Sequence, residues 1–210
     1  TTLLSWYAKH QKEIKQKGKR KLYLFCDEFT NYNDAHIGIT AILLLERLGY
    51  EVIIPKHEES GRTWLSKGLL RDAQKIINRN IEALGLLVSA DTPLIGIEPS
   101  AILTFRDEYP DLAFDANLDA AKQMAKHVFL IDEFIADEIS KGNITSERFT
   151  KEKRLVKLHG HCQQKAISSM TASVKMLSLP EQYKVETIPS GCCGMAGSFG
   201  YEKEHYELSM

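Results

Sequence analysis

Short apolar runs and longer amphipathic stretches alternate along the chain. Leu22-Tyr23-Leu24-Phe25, Val52-Ile53-Ile54, Leu94-Ile95-Gly96-Ile97, Arg154-Leu155-Val156-Lys157-Leu158 and the stretch from Lys184 to Ile188 have the brevity and apolar content of strands. Between them, Ile37 to Leu48, Leu69 to Val88 and Lys165 to Leu177 place apolar residues at helical spacing, and the first of these closes at Gly49. Val128 to Ile139 predicts a helix or a strand–helix pair, and Ser100, after Glu98-Pro99, is placed to cap a helix running toward Tyr109. Thr1 to Lys19 predicts a peripheral helical lead-in with Trp6, Tyr7 and Ile14 on one side, closed by Gly18. Strands that alternate with helices predict an α/β fold with mainly parallel sheets and three layers.

The order of elements repeats. A strand, a loop with Cys26, a helix, the strand Glu51 to Ile54 and then Glu59-Ser60-Gly61 are matched by Arg154 to Leu158, Cys162, a helix, Lys184 to Ile188 and Cys192-Cys193-Gly194. Cys26 and Glu59 stand 33 residues apart, Cys162 and Cys192 stand 30 apart, and Tyr50-Glu51-Val52 lines up with Tyr183-Lys184-Val185. The expected architecture is therefore two duplicated Rossmann-like lobes related by a pseudo-twofold, with the cysteines at strand ends where such folds place ligands. The expected divisions are a lead-in over 1–20, a first lobe over 21–150 whose cysteine motif is degenerate, and a second lobe over 151–210.

Composition narrows the class without choosing the chemistry. The 210 residues are 43% apolar and 26% charged with a net charge of -1, which describes a globular protein and argues against a nucleic-acid binder. The longest apolar stretch, Ile37 to Leu45, ends at Glu46-Arg47, too short for a membrane span, and the N-terminus lacks a signal-peptide pattern. The expected location is cytoplasmic or peripheral to the inner membrane. Four cysteines do not make a disulfide scaffold in a chain of this size, so clustered thiols in a reducing compartment point to metal binding or redox chemistry.

Three thiols, Cys162, Cys192 and Cys193, fall within one short window, with His159 and His161 beside the first. Thiolates are soft ligands, and this set suits either an iron–sulfur cluster or tetrahedral zinc. Cys162, between a strand end and a helix start, has a ligand's surroundings, whereas His159 and His161 read equally as loop residues, outer donors or zinc ligands. Gly194, Gly197 and Gly200 would let backbone N–H groups approach a bulky anionic ligand. Their spacing is that of neither a P-loop nor a dinucleotide fingerprint. Cys26, alone, reads first as a packed residue, with Asp27, Glu28 and His36 near it in sequence as a polar patch or as ordinary solvated charges.

A lone cysteine after a strand followed by Cys-Cys-Gly resembles the cysteine-rich (CCG) domain of heterodisulfide reductases, glycolate oxidase iron–sulfur subunits and FAD-linked D-2-hydroxyacid (D-lactate/glycolate) dehydrogenases. The segments His159-Gly160-His161-Cys162-Gln163-Gln164-Lys165-Ala166, Ser190 to Glu202, Ser66-Lys67-Gly68-Leu69-Leu70 and Glu98-Pro99-Ser100 are most similar to the large flavoprotein oxidases. The resemblance implies an electron-transfer domain holding a 4Fe-4S cluster through Cys162, Cys192 and Cys193, with His161 and Cys26 as further candidates and Gly194, Gly197 and Gly200 around the cofactor. It implies FAD on a separate dehydrogenase domain or subunit, and a quinone or other acceptor. The expected fragment is not catalytic by itself. Two departures stand out: Glu59-Ser60-Gly61 replaces Cys-Cys-Gly in the first lobe, and Ala101 stands where relatives often carry a cysteine. The downstream cysteine pair of the family motif is expected beyond Met210, which makes these residues part of a longer polypeptide. The alternative is a zinc-bound or metal-free docking domain, with Cys162, Cys192, Cys193 and His161 as the zinc ligands.

Overall fold

The structure, a computed structural model, describes residues 1–13, 20–191 and 199–210. It divides into two compact units, Thr1–Leu130 and Ile131–Met210.

The first unit is an α/β sandwich. Its elements are α1 (Leu3–Glu13), β1 (Arg20–Leu24), α2 (Glu28–Tyr32), α3 (Ala35–Arg47), β2 (Tyr50–Ile53), α4 (Arg62–Ser66), α5 (Leu70–Leu84), β3 (Leu94–Gly96), α6 (Pro99–Leu103), α7 (Glu108–Leu112), α8 (Leu118–Ala125) and β4 (Val128–Leu130). The four strands form a parallel sheet in the order β2-β1-β3-β4. All-parallel sheets bury both faces, and this one does so: Leu22, Leu24, Val52, Leu94, Ile95 and Val128 are buried. On α5 the buried residues Ala73, Ile77, Ile81 and Leu84 form a stripe at helical spacing, which is why this helix packs rather than floats. Burying each of the isoleucine and leucine side chains contributes about 1.5–3 kcal/mol.

Two glycines shape the sheet. Gly49, at φ 99°, reverses the chain between α3 and β2 in a conformation that a β-carbon disfavours. At Gly96 a β-carbon would lie 2.4 Å from Ile102, so the close approach of β3 to α6 requires glycine.

Several expectations are corrected. The lead-in is not peripheral: Leu3 and Tyr7 are buried, and the Tyr7 hydroxyl donates to Val52 O at 3.0 Å and accepts from Ile54 N at 3.2 Å. Glu98, not Ser100, caps α6. Its carboxylate accepts from Ala101 N at 2.6 Å, and Ser100 Oγ donates to that carboxylate. Pro99 at the first helical position, where its missing N–H costs nothing, places the cap one residue before it.

The second unit contains α9 (Ile131–Ser140), β5 (Arg154–Leu158), α10 (Cys162–Ile167), α11 (Met170–Leu177), β6 (Tyr183–Thr187) and α12 (Tyr206–Ser209). The single helix expected over Lys165 to Leu177 is two, because Ser168 is extended and Ser169 caps α11 by accepting from Thr171 N at 3.1 Å. Strands β5 and β6 pair in parallel with Arg154 opposite Tyr183, just as Arg20 lies opposite Tyr50 in the first unit. Unlike the first sheet, this pair has no buried residue in either strand.

Candidate functional site

In the second unit the two strands end side by side, and Ile188 N donates to Leu158 O at 2.8 Å. The chain leaving β5 passes through His159 and Gly160 to His161, whose Nδ1 accepts from Gln163 N at 3.2 Å and caps α10. With Nδ1 accepting, the neutral ring carries its proton on Nε2, so a metal bound there would have to displace that proton. Cys162 is the first residue of α10 and is exposed.

The chain leaving β6 is fastened to the same loop. Lys165 Nζ donates to Ser190 O at 3.1 Å and to Gly191 O at 2.8 Å, and His159 Nε2 donates to Gly191 O at 3.2 Å. Two side chains, three residues to either side of Cys162, thus hold the residue that immediately precedes Cys192. Cys192, Cys193, Gly194 and Gly197 lie outside the described residues. Gly200 sits in a 3-10 turn over Phe199–Tyr201.

Beneath this loop lies a buried polar triangle that sequence reasoning missed. Gln164 Nε2 donates to Asp132 Oδ2 at 2.8 Å and to Ser173 Oγ at 2.9 Å, and the Ser173 hydroxyl donates to the same carboxylate oxygen. All three residues are buried and come from α9, α10 and α11, so the helix that begins with Cys162 is pinned to two others. Glutamine two residues after a cysteine gave no signal of a partner some thirty residues upstream.

The corresponding region of the first unit has the opposite chemistry. Cys26 is 5% exposed, its N–H donates to His57 Nε2 at 3.2 Å, and His57 Nδ1 donates to Glu58 O at 2.6 Å. Burial, reinforced by the charges of Asp27 and Glu28, pushes the Cys26 thiol up to about 12, so it is protonated at neutral pH. Burial also lowers the His57 pKa, favouring the neutral ring that accepts from Cys26. Asp27 caps α2 through Thr30 N at 2.7 Å and Thr30 Oγ1 at 2.6 Å, yet desolvation outweighs these bonds and raises its carboxyl to about 6. His36 is exposed on α3 and takes no part.

Where the repeat places Cys-Cys-Gly in the second half, this unit has Glu59-Ser60-Gly61, and the segment is sealed by hydrogen bonds. Glu28 accepts from Ser60 Oγ at 2.7 Å and from Ser60 N at 3.1 Å. Tyr109 Oη donates to Ser60 O at 3.0 Å and accepts from Asn80 Nδ2 at 2.9 Å, and Asn80 also binds Glu58 N and Glu59 O. Among the described residues no group of three or more His, Cys, Asp or Glu side chains is arranged to hold a metal. Among them, too, no helix is long and apolar enough to cross a membrane.

Comparison with known proteins places the chain beside parts of oxidoreductases. It is 25% identical over 193 residues to D-2-hydroxyglutarate dehydrogenase of Escherichia coli (strain K12), an alignment covering 91% of this chain and 18% of that protein. It is 25% identical over 210 residues to a subunit of the anaerobic glycerol-3-phosphate dehydrogenase of the same strain, covering 99% of this chain and 51% of the relative. It is 26% identical over 185 residues to lactate utilization protein A of Bacillus subtilis (strain 168), covering 85% of this chain and 74% of the relative. No family model matches, and no solved structure does. The chain thus spans about a fifth of the first relative, half of the second and three quarters of the third, and is similar to segments of two dehydrogenase proteins and to most of a lactate-utilization protein.

Proposed function

We propose that this chain is an iron–sulfur electron-transfer domain of a FAD-dependent D-2-hydroxyacid dehydrogenase. Its second unit would hold a 4Fe-4S cluster through Cys162, Cys192 and Cys193. The observation that carries the reading is the fastening of Ser190 and Gly191 to Lys165 and His159, which ties the chain entering Cys192 to the loop bearing Cys162. The relationship to segments of two dehydrogenases and a lactate-utilization protein supports the reaction class. The thiol set fits a thiolate-bound group there; in the first unit, one buried and protonated Cys26 does not.

When bound, such a cluster accepts and releases electrons singly. The chain's own contribution is positional and electrostatic. The Asp132–Gln164–Ser173 triangle pins α10, Lys165, bonded to the carbonyls of Ser190 and Gly191, would add positive charge near the bound thiolates, and backbone N–H groups around Gly194, Gly197 and Gly200 would donate to sulfur. A fourth thiolate would come from outside residues 1–210, as would the flavin domain that takes electrons from the hydroxyacid and the quinone or other acceptor that receives them. Among the relatives' substrates, 2-hydroxyglutarate and lactate are 2-hydroxyacids, and that chemical class is the one proposed.

Anaerobic reconstitution with ferrous iron and sulfide, carried out on a polypeptide that extends past Met210, tests the reading. Stoichiometric iron with charge-transfer absorption is expected; the paired replacement Cys192→Ser, Cys193→Ser should abolish it and Cys26→Ser should leave it intact. Iron content indifferent to the paired replacement overturns the assignment. Colourless protein with stoichiometric zinc would establish the docking-domain alternative instead.

A further inference from the structure

The helix that begins with Cys162 has no apolar stripe to hold it. Of the six residues of α10 only Gln164 is buried; Ala166 and Ile167 are not. A surface helix normally takes its rotation about its own axis from an apolar face packed inward, and here one polar side chain stands in that place. At about 100° per residue, turning Gln164 inward sends Cys162, two residues earlier, to the opposite side and brings Lys165 onto the same face as the cysteine. Both Cys162 and Lys165 are exposed.

Gln164 is held from the first turn of α9. Asp132 Oδ2 accepts from Gln164 Nε2 at 2.8 Å and from the Ser173 hydroxyl, while Oδ1 accepts from Glu133 N at 2.8 Å. The next residue, Glu133, accepts from Ser168 Oγ at the end of α10. Besides Ser173, α11 supplies Met170, which lies so close to Gly160 that a β-carbon there would come within 2.5 Å of its sulfur.

We infer that Asp132 is the positioning residue of the thiol site. By fixing the rotation of α10 through Gln164 it aims Cys162, and through Lys165, bonded to the carbonyls of Ser190 and Gly191, it sets the approach of Cys192. The inference rests on the reading that these cysteines share one ligand. The position calls for a carboxylate, because both oxygens of Asp132 receive donors and an asparagine amide, turned either way, would set its NH2 against an N–H. With Asp132→Asn and Gln164→Glu together, the amide donates and the carboxylate accepts across the same gap, at unchanged net charge.

The test bridges Cys162 to Cys192 with dibromobimane in the metal-free polypeptide extended past Met210, with Cys193→Ser to leave one thiol of the adjacent pair and peptide mapping to read the bridge. Asp132→Asn should slow bridging by at least about tenfold, the loss of a buried hydrogen bond, and the exchanged pair should return within about threefold of the parent. Ile144→Ala removes a buried side chain of the same unit and none of the triangle, and should leave the rate unchanged. A parental rate in Asp132→Asn, a folded exchanged pair that stays slow, or equal slowing by Ile144→Ala overturns the inference. If circular dichroism shows that Asp132→Asn does not fold, the exchanged pair and Ser173→Ala decide in the same assay: slowing of about threefold is expected of Ser173→Ala, and a parental rate overturns the inference. A parent that bridges but takes up no iron refutes the cluster and leaves the role of Asp132 standing; a parent that does not bridge overturns the shared-ligand reading and the inference with it.

Discussion

Cys26 and Cys162 each follow the first strand of a parallel pair with matching register, yet one is a buried, protonated thiol bonded through its N–H to a histidine and the other is exposed at a helix start. Some thirty residues later the contrast repeats. Ser60 is completely buried and held by Glu28 and Tyr109, whereas Lys165 and His159 reach the backbone carbonyls of the segment entering Cys192. One plan of strand, loop, helix and strand therefore supports two outcomes. The first unit closes its loop region with internal polar bonds and a four-stranded sheet; the second keeps Cys162 exposed beside a two-stranded pair. Internal satisfaction of polar groups and availability for an external ligand are alternatives at the same topological position.

The largest expected difference is in thiol reactivity. At pH 8 iodoacetamide should modify Cys162 while labelling Cys26 at least about a hundredfold more slowly, since the thiolate is the nucleophile and a thiol near 12 is almost wholly protonated there. Peptide mapping by mass spectrometry reads both sites, and equal rates would break the contrast. Next comes Tyr109→Ala, which removes a fully buried aromatic and the bonds to Ser60 and Asn80, and should cost the first unit about 3–5 kcal/mol. Both tryptophans, Trp6 and Trp64, lie in that unit, so fluorescence during urea unfolding follows it selectively. A loss below about 1 kcal/mol would show that the seal is not structural.

A smaller effect is expected from Asp27. Its folded pKa, about 6, lies above the ordinary carboxyl value, so the fold favours the protonated form. The associated stability is complete below about pH 4 and is lost as pH rises through 6, because the unfolded chain ionises first. Asp27→Asn should flatten the decline in urea midpoint between pH 4 and 6. An unchanged slope would place the titration elsewhere.

Elements with their own local period were legible in the sequence. Arg154 to Leu158 is a strand over the residues its pattern marks, and α3 and β2 flank Gly49 as its position implies. Local signals were also misweighed: Ser168-Ser169 reads as an ordinary pair within a helical stretch until the second serine is seen to cap α11. Cys162, Cys192 and Cys193 suggest chemistry because they are close in sequence. The triangle of Asp132, Gln164 and Ser173 and the seal around Ser60 were not legible, since each joins residues from separate elements, and hydrogen-bonding residues carry no mark of a distant partner.

The same triangle decides where the chain can be cut. A piece begun at residue 151 keeps Gln164 and Ser173 but discards Asp132, leaving a buried amide and a buried hydroxyl without their shared acceptor. A piece begun at Ile131 keeps all three, although that point falls between β4 and α9 with no linker to announce it. The workable seam for grafting the thiol-bearing unit onto another protein is therefore the strand–helix junction, and not the polar loop that follows α9.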